Sequence, residues 1–302
     1  SIDIPKGRLT TITGMSGSGK TTLILESLYP AIKAKLNNAN VPQHIKELKA
    51  DWVNKIDLID ATPIGNNVRS TVATYSGVFD DLRKLYGKIS SNYTASDFSY
   101  NTGKLRCNTC DGTGTISMDV QFLPDIEMTC NSCDGTRYSN EVDNLFYNKY
   151  SIKDVMKLTI RQALEVFKDN KKIRDKLQIL VDLGIGYLTL GEATPALSGG
   201  EAQRLKLASE IGKTQDGSVF IFDEPSIGLH PQDVKTLLQV FQKLIDNGAT
   251  IIVIEHDLDV IKNSDYIIDM GPEGGYLGGE IVATGTVQDI KDSKESITGR
   301  YL

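Results

Sequence analysis

The most informative stretch of this sequence reads Gly14-Met15-Ser16-Gly17-Ser18-Gly19-Lys20-Thr21-Thr22. It fits the pattern G-x-x-x-x-G-K-[ST], in which glycines let successive backbone N–H groups turn toward a phosphate. The β-branched run 8–13 predicts a strand before this phosphate loop, and residues 21–28 predict a helix after it. We expect Lys20 to reach the β- and γ-phosphates of a nucleotide and the Thr21 hydroxyl to ligate Mg²⁺. The positive end of the helix dipole favours a phosphate at the same place.

A second segment of interest is the apolar run 219–222, which ends in the carboxylates Asp223 and Glu224. A continuous apolar run is typical of a strand that is covered on both faces of a parallel sheet. In such a sheet, the end of this strand lies beside the bound phosphates. We therefore expect Asp223 to hold Mg²⁺ and Glu224 to polarise the attacking water.

His256 follows another apolar run, 250–254. This position predicts a histidine at the tip of a strand, where it can sense a γ-phosphate. The alternative is a histidine that makes only a structural hydrogen bond.

The segment Leu197-Ser198-Gly199-Gly200-Glu201 predicts the start of a helix. A serine followed three residues later by a glutamate is a capping box, and a capped, glycine-opened helix start binds anions well. The predicted helix runs to Ile211 and stops at Gly212. Taken alone, this pattern is more typical of a helix start that binds nothing.

All four cysteines lie in two C-x-x-C pairs, Cys107 with Cys110 and Cys130 with Cys133, with nineteen residues between the pairs. This spacing predicts a tetrahedral four-cysteine zinc site, against the alternative of four unrelated buried cysteines. Alternating apolar residues over 116–122 and 126–128, with a turn at 123–125, predict a hairpin tied by the metal.

Composition limits the class of protein. The chain has 302 residues and a net charge of −6, so bulk electrostatics do not attract nucleic acid, and DNA binding requires a local basic patch. No apolar run is long enough to span a membrane, and paired cysteines beside a nucleotide motif favour a reducing, cytoplasmic compartment. The chain begins at Ser1 without a methionine, which we interpret as a piece cut from a larger protein.

The order of these segments predicts an α/β core that is split by an insertion. We assign residues 1–65 and 191–302 to the core and 66–190 to a mainly helical inserted domain, with the zinc module at about 104–140. Helices are predicted over 71–86 and within 145–183, and residues 271–286 predict a hairpin or turns.

These motifs, in this order, resemble an ABC-type P-loop ATPase, and more narrowly the C-terminal half of the UvrA family of DNA-damage sensors in nucleotide excision repair. The match covers nearly the whole chain. Its most similar stretches are Asp60-x-x-Pro-Ile-Gly65, Cys107 to Arg137, Ala196 to Lys206, Ile254 to Ile261 and Gly271 to Gly275.

The resemblance implies that ATP binds at Gly14–Thr22 and that the loop Ser198–Glu201 closes over the γ-phosphate of a partnering unit. It also implies that the inserted domain with its Zn²⁺ module contacts damaged double-stranded DNA. Partners implied by the resemblance are the second ABC unit of the same parent protein, a homodimer partner and UvrB. We expect a weak ATPase for the isolated chain, since Ser198 would serve a nucleotide on another unit.

Two positions depart from the family pattern. Ala61 stands where the family usually has a glutamine that contacts Mg²⁺ and water, and an alanine methyl can neither ligate nor donate. We expect weakened or differently gated hydrolysis. The loop after Glu224 has Ser226-Ile227 where Thr-Thr is more usual, which suggests a divergent paralogue or lineage variation.

A candidate DNA patch combines basic residues with aromatic ones; the alternative is a solvated polar face. Its members are Arg69, Arg83, Lys84, Lys88, Lys104 and Arg106, with Tyr86, Tyr93, Phe98 and Tyr100.

Two other functions compete with DNA repair. The first is an ABC-type ATPase of a transport system or a UvrA-like drug-resistance paralogue, although a transporter ATPase has no need of a zinc hairpin. The second is a chaperone-like peptide-binding module, because Cys107-x-x-Cys-x-Gly-x-Gly114 also resembles the DnaJ-type repeat. That function leaves the nucleotide motifs unexplained.

Overall fold

The computed structural model describes residues 2–65, 67–118, 126–211 and 214–302. The strands are β1 (Leu9–Gly14), β2 (Lys55–Ile59), β3 (Thr115–Met118), β4 (Ile126–Thr129), β5 (Ser218–Asp223), β6 (Thr250–Ile254), β7 (Tyr266–Gly271) and β8 (Glu280–Gly285). The α-helices are α1 (Tyr29–Leu36), α2 (Val72–Tyr75), α3 (Val78–Ile89), α4 (Ile152–Lys157), α5 (Ile160–Val166), α6 (Lys171–Asp182), α7 (Gly199–Glu210), α8 (Pro231–Asp246), α9 (Leu258–Lys262) and α10 (Val287–Asp292). A π-helical segment covers Thr22–Leu28, and 3-10 turns cover Asn140–Asn144, Thr194–Ala196, Gly275–Leu277 and Thr298–Arg300.

The chain divides into two compact units. The first contains the residues up to Ala61 together with Glu210–Leu302, and the second is Thr62–Ser209. The predicted boundaries, at 65/66 and 190/191, differ from this division chiefly in where they assign α7.

The first unit is built on a six-stranded sheet in the order β2-β5-β6-β1-β7-β8. All neighbours are parallel except β7 and β8, which pair antiparallel. The β-branched run 8–13 and the two apolar runs that predicted strands form β1, β5 and β6. Their residues are almost entirely buried, as expected of strands covered on both faces of a parallel sheet. Since parallel strands end at the same edge, the phosphate loop, the two carboxylates at the end of β5 and the histidine after β6 share that edge.

The helix after the phosphate loop is longer than predicted. The predicted end at residue 28 is where π-helical geometry gives way to α1, which continues to Leu36. Pro30 lies in the second position of α1 and has no N–H to donate. The wider helical register just before it accommodates that missing hydrogen bond.

The second unit contains the helices α2 to α7 and the β3–β4 hairpin. The helix predicted over 71–86 is two helices, because Gly77 adopts a left-handed φ of +70° between α2 and α3. Residues within 145–183 form three helices, which begin after the capping residues Ser151, Thr159 and Asn170. The predicted hairpin is confirmed by the antiparallel pairing of β3 with β4. The predicted turn at 123–125 and the predicted stop at Gly212 lie outside the described residues.

In the part of the chain that the structure describes, no helix combines the length and the apolar character required to cross a bilayer.

Candidate functional site

The backbone of the phosphate loop depends on glycine at three positions. Gly14, Gly17 and Gly19 have φ values of +127°, +75° and +95°. A Cβ on Gly14 would collide with the Met270 carbonyl group, whose carbon would lie only 2.8 Å away. The loop therefore leaves β1 in direct backbone contact with the neighbouring strand β7.

A glycine-rich segment, 274–279, braces the phosphate loop from outside. The N–H groups of Gly275 and Gly279 donate to the carbonyl oxygens of Gly17 and Ser18, each at 3.0 Å. A Cβ on Gly274 would lie 2.6 Å from the Ser16 oxygen, so this approach also requires glycine. These hydrogen bonds hold the curled loop before any nucleotide binds.

Lys20 lies buried at the loop, with 6% of its surface exposed. Its Nζ donates to the carbonyl oxygens of Gly14 at 3.0 Å and Met15 at 2.8 Å. Burial lowers the pKa of Lys20, and the carboxylates of Glu224 and Asp269 oppose that effect. The ammonium group is thus held by weak neutral acceptors that phosphate oxygens can replace.

The acidic end of β5 carries like charges close together. Burial raises the pKa of Asp223, and Glu224, Asp60 and Glu255 raise it further. A divalent cation relieves such crowding, and a carboxylate with the Thr21 hydroxyl offers the oxygen ligands that Mg²⁺ prefers. The residues present therefore fit a magnesium ion.

Glu224 and His256 come together as neighbours. Glu224 has a φ of +47°, a left-handed conformation that a non-glycine residue rarely adopts. Its N–H donates to the Ile254 carbonyl oxygen at 2.9 Å, which ties it to β6. His256 Nε2 lies 3.5 Å from Glu224 Oε1. Backbone strain of this kind is concentrated at functional sites.

The sequence analysis did not identify Glu255, whose carboxylate links the loops that follow β5 and β6. Its carboxylate is 2% exposed and accepts hydrogen bonds from the N–H groups of Ser226, His256 and Asp257, at 2.9, 2.7 and 3.0 Å. A buried carboxylate is stable only when such donors satisfy it. The available signal was an acidic residue directly after the four apolar residues that end strand β6.

The capping box predicted at Ser198 is present in the second unit. Glu201 Oε2 accepts from the Ser198 N–H at 2.7 Å, and Ser198 Oγ accepts from the Glu201 N–H at 3.4 Å. Tyr187 donates its hydroxyl to the other carboxylate oxygen, Oε1, at 2.5 Å. Burial raises the pKa of Glu201, but the hydrogen bonds from Tyr187 and Ser198 outweigh it and hold that pKa below its ordinary value. Ser198 itself is exposed, with Gly199 and Gly200 half-buried behind it.

The four cysteines also lie together in the second unit, and all four are buried. Their sulfurs lie within 4.8 Å of one another, with 4.0 Å from Cys107 Sγ to Cys130 Sγ and 3.7 Å from Cys110 Sγ to Cys133 Sγ. Tetrahedral zinc with bonds of about 2.3 Å requires sulfur separations of about 3.8 Å. These distances are far too long for disulfides. The cluster therefore fits a zinc ion.

Comparison with known proteins gives the same picture over the whole chain. UvrABC system protein A of Staphylococcus aureus strain COL is 47% identical over 308 residues, which cover 100% of this chain and 32% of that protein. The protein of the same name from Bacillus subtilis strain 168 is 48% identical over 305 residues, 99% of this chain and 32% of that protein. The crystal structure of UvrA2 from Deinococcus radiodurans superposes with a TM-score of 0.87 and 38% identity, over 99% of this chain and 37% of that one. No family model matches the sequence.

Over its whole length, the chain is similar to one part of the UvrA proteins. It spans about a third of the length of the curated relatives that it matches. The expected fold is confirmed: an ABC-type ATPase core with a helical insertion that carries a four-cysteine hairpin module. The individual roles assigned to the site residues stay predictions.

The candidate DNA patch is only partly available at the surface. Tyr86, Phe98 and Tyr100 are fully buried and cannot stack on bases. Arg69 and Arg106 both pair with Asp111, at 2.9 Å each. The lysines of the predicted patch, Lys84, Lys88 and Lys104, are exposed.

Proposed function

We propose that this chain is the ATP-binding and ATP-hydrolysing unit of a nucleotide-excision-repair protein that recognises damaged DNA. The observation that carries the proposal is the meeting of the phosphate loop, the Asp223–Glu224 pair and His256 at one edge of the first unit's sheet. The identity to UvrABC system protein A, at 47% over the whole chain, supports the assignment to repair.

In this proposal the nucleotide phosphates replace the carbonyl oxygens of Gly14 and Met15 as acceptors for Lys20. Thr21 and Asp223 hold Mg²⁺, which when bound supplies positive charge against the phosphate oxygens. Glu224 orients and polarises the attacking water, and His256 contacts the γ-phosphate side of the site. Because Glu224 and His256 are already 3.5 Å apart, both groups need little reorganisation.

The loop Ser198–Glu201 acts in trans in this proposal. Its exposed serine and its capped helix start suit the γ-phosphate of a nucleotide held by another ABC unit. That unit is the second ABC unit of the parent protein or its homodimer partner. ATP-driven closure of the two ABC units is coupled to the binding of double-stranded DNA. The resulting complex then binds UvrB in the cytoplasm.

Turnover measured against chain concentration tests this proposal. The ATPase rate per chain is expected to rise with concentration, because a complete site requires Ser198 of a second chain. Glu224→Gln should retain ATP binding and lose turnover, and damaged duplex should be retained on a filter better than intact duplex when ATP is present. A rate per chain that is independent of concentration, or robust turnover by Glu224→Gln, would contradict the proposal.

A further inference from the structure

The cysteine cluster contains an internal repeat. The segments Cys107-Asn-Thr-Cys-Asp-Gly-Thr-Gly114 and Cys130-Asn-Ser-Cys-Asp-Gly-Thr-Arg137 are identical at six of eight positions. Their hydrogen bonds repeat as well. Thr113 and Thr136 donate their N–H groups to the preceding cysteine carbonyl, each at 3.0 Å. The two halves are cross-linked alike, since the Cys130 N–H donates to the Gly114 oxygen at 2.9 Å and the Cys107 N–H to the Arg137 oxygen at 2.8 Å.

The last position of the repeat breaks this symmetry in its side chain. Gly114 and Arg137 both have left-handed φ values, +80° and +73°. Glycine adopts this conformation freely, whereas an arginine adopts it only with backbone strain. The backbone alone therefore favours glycine in both halves, and the arginine must be retained for its side chain.

The Arg137 side chain is buried inside the module. It is 5% exposed, its guanidinium lies over the Tyr100 ring at 5.2 Å from the centroid, and it donates to the Gly112 oxygen at 3.4 Å. The glycine of the other half leaves room for it, because a Cβ on Gly114 would lie 3.2 Å from Arg137 Cγ.

This buried cation has no carboxylate partner among the described residues; the thiols of Cys110 and Cys133 are among the groups acting on its charge. Burial of an unpaired guanidinium is unfavourable, because the charge loses its hydration without gaining a partner. Four thiolates around one Zn²⁺ carry a net charge of −2 and also require a counter-charge in a buried site. The positive guanidinium of Arg137 and the negative zinc–thiolate cluster would therefore neutralise one another.

We propose that Arg137 is the counter-cation of the four-cysteine metal site and ties the Gly112 turn of the first knuckle to the second. The inference rests on the proposed zinc site. It makes Arg137 a positioning residue that slows loss of the metal.

Zinc release from the full chain into a chromogenic chelator tests the proposal, with zinc content per chain measured first. Arg137→Gly restores the glycine of the repeat and removes the strain, and Arg137→Gln keeps most of the side-chain volume without the charge. Both should release zinc at least about ten-fold faster than the wild type. Arg137→Lys keeps the charge and should lie between. The matched control is Lys157→Gln, which removes an exposed charge that pairs with Asp134 at 2.7 Å and should release zinc like the wild type.

The outcomes separate the inference from the zinc site itself. If the wild type holds one zinc and both neutral variants release it at the wild-type rate, Arg137 serves only packing and the inference is wrong. If Arg137→Gly fails to fold, the release rate of Arg137→Gln decides. If the wild-type chain holds no zinc after preparation with the metal, the proposed zinc site is wrong and the inference falls with it.

Discussion

Replacing Gly14 by alanine should destabilise the first unit strongly, because this glycine allows the phosphate loop to leave β1 against β7. At φ +127° an alanine costs about 1–3 kcal/mol in backbone strain. Its Cβ would also lie 2.8 Å from the Met270 carbonyl carbon, within the backbone of β7. Relief of that overlap separates the two strands and weakens one or two ladder hydrogen bonds, at about 1 kcal/mol each. The expected loss in free energy of unfolding is therefore about 2–5 kcal/mol.

Gly7→Ala is the matched control for this substitution. Gly7 also has a left-handed φ, +65°, but nothing lies within 4 Å of its added Cβ. Its expected loss is about 1 kcal/mol, which leaves about 1–4 kcal/mol for the greater backbone strain at Gly14 and its contact with Met270. Urea unfolding followed by fluorescence of Trp52, the only tryptophan and part of the first unit's core packing, measures both variants. Equal losses for the two variants would refute the argument from close approach.

Three further predictions concern the chemistry of the site. The raised pKa of Asp223 gives a stability contribution that is present below its ordinary value of 3.8 and is lost as pH rises through the raised pKa. The stability advantage of Asp223→Asn over the wild type should therefore be larger at pH 7 than at pH 4, as measured by denaturant titration without Mg²⁺. An equal advantage at both pH values would contradict this. Ala61→Gln should raise kcat for Mg·ATP severalfold, since the amide can contact the water, and an unchanged kcat would remove Ala61 as the cause of slow turnover. Tyr187→Phe should lower kcat about ten-fold with little change in ATP affinity, because one hydroxyl hydrogen bond to Glu201 is lost; a change in affinity alone would argue against a role through Ser198.

The sequence was most informative where local pattern and buried structure coincide. The β-branched run of β1 and the apolar runs within β5 and β6 are almost entirely buried, as expected of central strands in a parallel sheet. The cysteine spacing likewise predicted a cluster whose sulfurs lie within 4.8 Å. In both cases the signal lies within a few neighbouring residues.

Features that depend on distant partners were not predictable in this way. The strand β7 contains Asp269, which is 1% exposed and reads as a surface residue in the sequence. Its carboxylate accepts hydrogen bonds from the hydroxyls of Ser296 and Thr298, nearly thirty residues further along the chain. The hydrogen bonds from 274–279 to the phosphate loop were not predictable for the same reason, because backbone N–H groups carry no sequence signature.

The prediction of one continuous helix over 71–86 was wrong for a different reason. Its apolar spacing is helical on both sides of Gly77, so periodicity alone could not detect the interruption. Lys176 donates to the Gly77 carbonyl oxygen at 2.7 Å, and this tertiary contact stabilises the left-handed residue. Helical periodicity gives the face of a helix, whereas tertiary contacts decide its continuity.

Equilibrium titration with Mg·ATP tests the central claim, that the phosphate loop with Lys20 holds the nucleotide. The wild-type chain, Lys20→Met and the exposed-lysine control Lys235→Met are compared by calorimetry. Lys20→Met removes a charge-assisted contact with phosphate worth about 2–4 kcal/mol, so its Kd should rise by about 30-fold to 1,000-fold, while Lys235→Met binds like the wild type. An unchanged Kd for Lys20→Met in a folded protein would contradict the account.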